Sequence, residues 1–293
     1  MPQGARPPRS LVLVVLTALT LIAFAANSLL CRAALGENRI DAASFTLIRL
    51  GSGALALTLL LALRGRLTGW RSEGTWGGAV ALLVYALCFS LAYRSIPAAV
   101  GALVLFACVQ LTMLLAAVRR HEGPSPLGWA GVVVAMSGLV ALVAPGLDRP
   151  DVTGVALMAL SGVAWGVYSL FGRGAKRPAV VTAASFLRAT LLAVLPCVAL
   201  GVATQPHART SGVALAVLSG AVASGVGYVM WYAVLPWLGT ARAAVLQLLV
   251  PVLAAVGGAA MLGERVGLRL LLAAAAILGG IALVFRAPRR LAP

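Results

Sequence analysis

Arg49 lies inside an apolar run, AASFTLIRLGSGALAL, eight residues after Asp41. On a helix that distance is ~12 Å of depth. Its helical face carries Ala42, Thr46, Gly53 and Ala56, small or weakly polar side chains of the kind that pack against other helices. An arginine there stays charged and needs acceptors. Two roles follow from the residue type: contact with a substrate carboxylate, or a hub for loop carbonyls and Asp41. The acids are distributed the opposite way. Glu37, Asp41, Glu73, Glu122, Asp148, Asp151 and Glu264 all fall in loops or at the ends of apolar runs. A cation buried in a low-dielectric site would lack a counter-charge. A carboxylate-bearing or zwitterionic molecule would find one in Arg49. No mid-membrane acid is available as a proton carrier, which leaves Glu264 or the substrate itself for that role.

Other polar residues inside apolar runs extend the candidate site. Thr240, Gln247, Pro251 and Gly258 fall at i, i+7, i+11 and i+18, within about 40° of one another on a helix. Pro251 has no N–H for the Gln247 carbonyl, a defect tolerated where a helix is buried in a bundle or lines a cavity. Ser161, Trp165, Tyr168, Ser169 and Gly172 share a face, as do Ser224, Tyr228, Trp231 and Tyr232. Tyr85 and Cys88 add a third contribution, and Thr17, Thr20, Asn27 and Ser28 a fourth. An aromatic wall with polar handles suits a small amphipathic molecule, and simple interhelical packing is the competing reading. The expected substrate-contact set is therefore Asn27, Arg49, Tyr85, Cys108, Thr112, Trp165, Tyr168, Ser169, Tyr228, Trp231 and Gln247. Cys108 and Thr112 join it as repeat counterparts of Gln247 and Pro251. Pro97, Pro236 and Pro251 are the expected hinges. Arg188 lies on a face with Val181, Leu192 and Leu195, which reads as lipid-facing, and Arg242 reads as snorkelling to the surface. Tyr93, Tyr232 and Trp237, near run ends, fit an interfacial belt.

These residues need elements to hold them. The chain is 61% hydrophobic and 10% charged, against about 25% charged in soluble domains. Ten apolar runs can each cross a hydrocarbon core about 30 Å thick: 11–33, 41–63, 75–95, 97–118, 127–145, 152–172, 180–202, 212–235, 239–262 and 267–286. The net charge of +16 punctuates these runs and forms no aromatic-interleaved basic patch, so no nucleic-acid partner is expected. Cys31, Cys88, Cys108 and Cys197 have no C-x-x-C spacing and read as apolar fillers. His121 and His207 fall in loops on opposite sides, and no nucleophile–base pair meets in the membrane. No metal, no cofactor and no enzymatic activity are expected. The N-terminal stretch imitates a signal peptide with Ala23-Phe24-Ala25, yet the repeat described next requires it as a retained first span.

Residues 28–45 (SLLCRAALGENRIDAASF) and 169–186 (SLFGRGAKRPAVVTAASF) match at eight of eighteen positions, 141 residues apart. Tyr93 and Pro97 are echoed by Tyr232 and Pro236, and Glu122 and Gly138 by Glu264 and Gly280. Two halves of five helices each, 1–147 and 148–293, must enter the membrane from opposite sides, because five is odd. The sequence therefore predicts an all-α polytopic membrane protein, ten transmembrane helices in two inverted-topology repeats, the architecture of alternating access. With a cytoplasmic N-terminus, thirteen Lys and Arg residues fall inside and seven outside. The positive-inside rule then places both termini in the cytoplasm.

Residues 240–284, with Pro251, Gly263-Glu264 and Gly279-Gly280, resemble the last two helices of the drug/metabolite transporter superfamily, in its ten-helix EamA type. The run around Arg49 resembles the second helix of that family, and the likeness extends over nearly the whole chain. The resemblance implies secondary transport, usually export of amino acids or other small metabolites, at a bacterial inner membrane. Its partners are then the substrate and the lipid bilayer, with the monomer as working unit. Export of hydrophobic drugs or toxic compounds is the alternative, and a non-transporting subunit or scaffold is a second. The related four-helix multidrug exporters depend on a glutamate in their first helix, which this chain lacks.

Overall fold

Backbone groups have no water to bond in hydrocarbon, so apolar runs of this length close their hydrogen bonds as helices. The computed structural model describes residues 10–66, 69, 73–119, 125–143, 150–172 and 175–286. Its helices are α1 (Ser10–Leu35), α2 (Ala42–Leu63), α3 (Trp76–Ala92), α4 (Ala98–Val118), α5 (Pro126–Val143), α6 (Val152–Phe171) and α7 (Pro178–Thr204). They continue as α8 (Thr210–Val217), a π-helical segment (Leu218–Val226), α9 (Gly227–Gln247), α10 (Leu249–Leu262) and α11 (Leu268–Arg286). Six spans are long and apolar enough to cross a membrane, and four shorter apolar helices complete the set. This is a polytopic helical membrane protein of about ten spans.

Helix starts follow from caps. Asp41 Oδ1 accepts from Ser44 N at 2.9 Å, Thr75 Oγ1 from Gly78 N at 3.0 Å, and Asp151 Oδ2 from Gly154 N at 2.6 Å. Gly263, with φ of 63°, ends α10 in the left-handed region. The expected break at 235–239 is not marked by a loop. The backbone stays helical through TARAAVLQ, a run rich in helix formers, and breaks at Leu248 instead. Pro251 then occupies the first turn of α10, where its missing N–H leaves no intrahelical bond unmade. The side chains of Tyr232, Pro236, Thr240 and Arg242 lie outside the described residues, and so does the expected repeat boundary at 147–148.

Contacts sort the loops into two ends. At one end, His207 N donates to Asp41 Oδ2 at 3.0 Å, Arg209 N to Arg39 O at 2.8 Å and Ser95 Oγ to Asp151 Oδ2 at 2.8 Å. At the other, Arg177 Nη2 donates to Arg66 O at 2.6 Å. The C-terminus of α1 and the N-terminus of α6 therefore share an end, so α1 and α6 cross in opposite senses. The end holding Asp41, Ser95 and His207 is called outer below.

The principal neighbours of α2, α3 and α5 are α7, α6 and α11, far apart in the chain. Two of the tightest approaches need glycine: a Cβ on Gly131 of α5 or Gly280 of α11 would collide with the other's carbonyl, and a Cβ on Gly220 of the π segment would collide with the Arg49 carbonyl of α2. Arg188 corrects its lipid-facing expectation. Its Nη1 donates to Glu73 O at 2.7 Å and its guanidinium stacks 5.5 Å from the Trp76 ring. An intramembrane arginine finds acceptors where a loop reaches inward. Tyr93 also departs from the belt role. It is fully buried, edge-on to Phe89, and its hydroxyl donates to Ala98 O at 3.4 Å.

Candidate functional site

The centre of the bundle is a polar chain wrapped in aromatic rings. The π segment places Ser219 so that its Oγ donates to Asn27 Oδ1 at 2.7 Å. Asn27 Nδ2 donates to the Tyr85 hydroxyl at 3.3 Å. Arg49 Nη2 donates to the same oxygen at 2.7 Å. Four helical elements, α1, α2, α3 and the π segment, thus converge on one phenol. Ser161 Oγ of α6 donates to the Tyr85 carbonyl at 2.9 Å. Arg49 is 1% exposed, and its cation lies 5.0 Å from the Tyr85 ring and 4.7 Å from the Phe89 ring. Its Nη1 is buried without a hydrogen-bond partner, as is Ser224 Oγ nearby on the π segment. Among the described residues no carboxylate pairs with Arg49, as expected from the acid distribution.

Rings stack outward from this chain. Trp165 lies 4.8 Å from Tyr85, 5.4 Å from Tyr168 and 4.9 Å from Tyr228. Phe24 packs edge-on to Tyr228 at 6.0 Å and to Trp231 at 5.8 Å. Between them is a cavity of ≈ 20 Å³ bounded by residues including Asn27, Ser28, Tyr85, Trp165 and Tyr228. That volume holds about one water molecule, so the pocket is closed around its own wall.

The expected residues divide accordingly. Asn27, Tyr85, Trp165 and Tyr228 form the cavity wall, with Arg49 behind Tyr85 and with Tyr168 and Trp231 at the rim of the stack. Cys108 and Thr112 are taken up by the α4–α6 seam. Thr112 Oγ1 donates to Cys108 O at 2.8 Å, and a Cβ on Gly166 would sit 2.7 Å from Thr112 Cβ. Ser169 Oγ donates back to Trp165 O at 2.8 Å within its own helix. Gln247 ends α9, away from the cavity wall. Sequence reasoning missed Phe24, Phe89, Phe106 and Ser219. Phe89 was readable as the i+4 neighbour of Tyr85. Ser219 was not, because a π turn shifts the register that a 3.6-residue period assumes.

The outer end is tied shut over this cavity. Glu264 accepts from Ala98 N through both carboxylate oxygens at 2.9 Å, capping α4, and from Arg32 Nε at 3.3 Å. Arg32 Nη1 also donates to the carbonyls of Tyr93 at 3.0 Å and Arg94 at 3.3 Å. Beside it, partial burial pushes the Asp41 carboxyl up, but the Ser44 and His207 N–H groups outweigh that and hold it below its ordinary value. The Ser95 hydroxyl and Gly154 N–H hold Asp151 low in the same way.

Apolar helices crossing in opposite senses around a closed polar and aromatic pocket define a small-molecule membrane transporter. Residues 152–286 match the EamA-like transporter family. An uncharacterised protein of Pseudomonas aeruginosa is 50% identical over 276 residues, 94% of this chain and 95% of its own length. An uncharacterised transporter of Archaeoglobus fulgidus is 25% identical over 217 residues, 71% of this chain and 75% of its own. A solved crystal structure shares the fold with a TM-score of 0.61 at 22% identity, covering 91% of this chain and 97% of that one. Residues 152–286 carry an EamA-like transporter family domain, and the protein is a membrane transporter of the drug/metabolite type.

Proposed function

We propose that the protein is a secondary transporter that works by alternating access and exports small amphipathic metabolites, such as amino acids or related carboxylates. The observation that carries the reading is Arg49, buried beside the central pocket with no carboxylate paired to it among the described residues. A substrate carboxylate supplies the missing negative charge. A cationic drug would add a second uncompensated charge. The aromatic wall supplies the apolar surface that an amphipathic side chain needs. Since the pocket holds about one water, substrate entry requires the helices around it to separate. Repeats 1–147 and 148–293 would exchange conformations in doing so, with Pro97, Pro236 and Pro251 as hinges and the monomer as working unit. A bacterial inner membrane with both termini in the cytoplasm fits the charge bias of the loops.

The test is counterflow into liposomes of purified protein. Zwitterionic and anionic metabolites, their amides, and lipophilic cations are run side by side. Exchange of carboxylated compounds is expected. Exchange of lipophilic cations alone would favour the drug-export alternative. No exchange of any compound by folded protein would favour the scaffold reading.

A further inference from the structure

We infer that Ser224, on the π segment, is a substrate-contact residue whose hydroxyl is held ready for a carboxylate oxygen beside Arg49. The inference rests on the transport reading above and says what completes the charge site. A buried serine or threonine on an α-helix has an acceptor at hand in the carbonyl four residues back. Thr46, Ser90, Thr112, Ser169 and Ser185 all use it, at 2.7–2.9 Å. Ser224 is fully buried and does not. The reason is the wider π turn, which bonds five residues back. Gly227 N accordingly donates to Val222 O, and the Gly220 carbonyl lies toward Gly225, where a Cβ would sit 3.3 Å from it. The π turn withholds from Ser224 the acceptor that an α-helix would supply, and its hydroxyl is buried without a partner.

The surroundings of Ser224 say what it serves. Ala223, the residue before it, lines the central cavity, and so does Tyr228, one turn on. Gly225, the residue after it, faces α2: a Cβ there would lie 3.7 Å from Ala56 Cβ and from Gly53 O. Ser224 thus falls between the cavity and α2, the helix that carries Arg49. Arg49 Nη1 is likewise buried without a partner. The phenols on the cavity wall are already engaged, since Tyr85 is bonded to both Arg49 and Tyr228. A guanidinium nitrogen only donates, and a serine hydroxyl donates or accepts as its ligand requires. An ammonium group is repelled by the guanidinium, whereas a carboxylate is drawn to it and has an oxygen for each atom. Once the helices around the pocket separate, Arg49 and Ser224 share the substrate carboxylate.

The experiment measures binding, transport and stability separately on the full chain. Binding is read from tryptophan fluorescence, since Trp165 lies 4.9 Å from Tyr228. The probes are leucine, isocaproate (leucine without its amine) and isocaproamide, the neutral amide. Ser224→Ala should weaken leucine and isocaproate about tenfold each, and isocaproamide less than about threefold. Its melting temperature should stay at or above wild type, because alanine removes a buried hydroxyl that has no partner. Ser224→Cys, close in size but a weaker hydrogen-bonding group, should fall between wild type and Ser224→Ala in affinity. Unchanged affinity in Ser224→Ala, equal losses for acid and amide, or a loss confined to leucine would overturn the assignment. A lower melting temperature or a failure to fold would overturn it too, by showing that the hydroxyl has a structural partner, and so would the absence of binding of every probe to folded wild type. Binding that depends on Ser224 without counterflow would sink the transport reading and leave the Ser224 assignment standing.

Discussion

Glu264 is the residue whose removal should open the outer side. It joins the loop before α11 to the N-terminus of α4 and to Arg32 at the end of α1. Losing an N-terminal cap costs about 1 kcal/mol. The Arg32 pair has side chains 24% and 10% exposed, so it is partly screened and adds ~0.5 kcal/mol. Together the carboxylate favours outer closure by about 1.5 kcal/mol, and a 1.4 kcal/mol change is tenfold in an equilibrium constant. Glu264→Ala should therefore shift the population about tenfold toward an outward-open form. Glu264→Gln keeps one acceptor for Ala98 N and should give a smaller shift. The assay is labelling of Ala223→Cys on the cavity wall by a membrane-impermeant thiol reagent applied from outside. It is run in a background with the four buried native cysteines replaced by alanine. Labelling rates should rise in the order wild type, Gln, Ala. If Glu264→Ala lowers melting temperature while labelling stays at the wild-type rate, the contact only holds the fold and the latch reasoning fails.

Three further outcomes follow from particular contacts. Arg188→Ala removes a charged donor to Glu73 O and a stack on Trp76, and should destabilise the protein in detergent by about 1–3 kcal/mol; an unchanged melting temperature would return Arg188 to the lipid face. Asp41 and Asp151 have folded pKa values held below their unfolded ones, so their stabilisation is complete above the unfolded value of about 3.9 and is lost as pH falls through the folded values. Thermal stability should hold from neutral pH to about pH 5 and fall below about pH 4, and Asp41→Asn should be less stable at neutral pH with a shallower acid limb; an acid limb as steep as wild type would show that other groups set it. Asn38→Cys should be labelled only from outside intact cells and Arg66→Cys only in inverted vesicles, both positions being exposed; the reverse pattern would overturn the proposed orientation.

Most of the architecture could be read from residue order because the bilayer leaves few choices. Runs of about 20 apolar residues must close their backbone hydrogen bonds locally, and charges must leave the hydrocarbon, so spans and loops are written directly in composition. The opposed directions of α1 and α6 were legible for a related reason. An odd number of crossings separates SLLCRAALGENRIDAASF from its echo. The acids at helix ends were legible as well, and the structure gives them work as caps at Asp41, Asp151 and Glu264.

Tertiary structure decided what helical periodicity cannot carry. A face is visible in sequence, but its partner is not. Arg188 looks lipid-facing by its own neighbours and is instead bound to the Glu73 carbonyl, 115 residues away in the chain. Thr112 and Cys108 share a polar face yet are consumed by the glycines of α6. The π segment displaces Ser219 from any 3.6-residue pattern and brings it to Asn27, 192 residues away. Length and hydropathy act along the chain and are local in sequence. The donor and acceptor pairing around Tyr85 depends on distances between four separate elements, and only packing sets those distances.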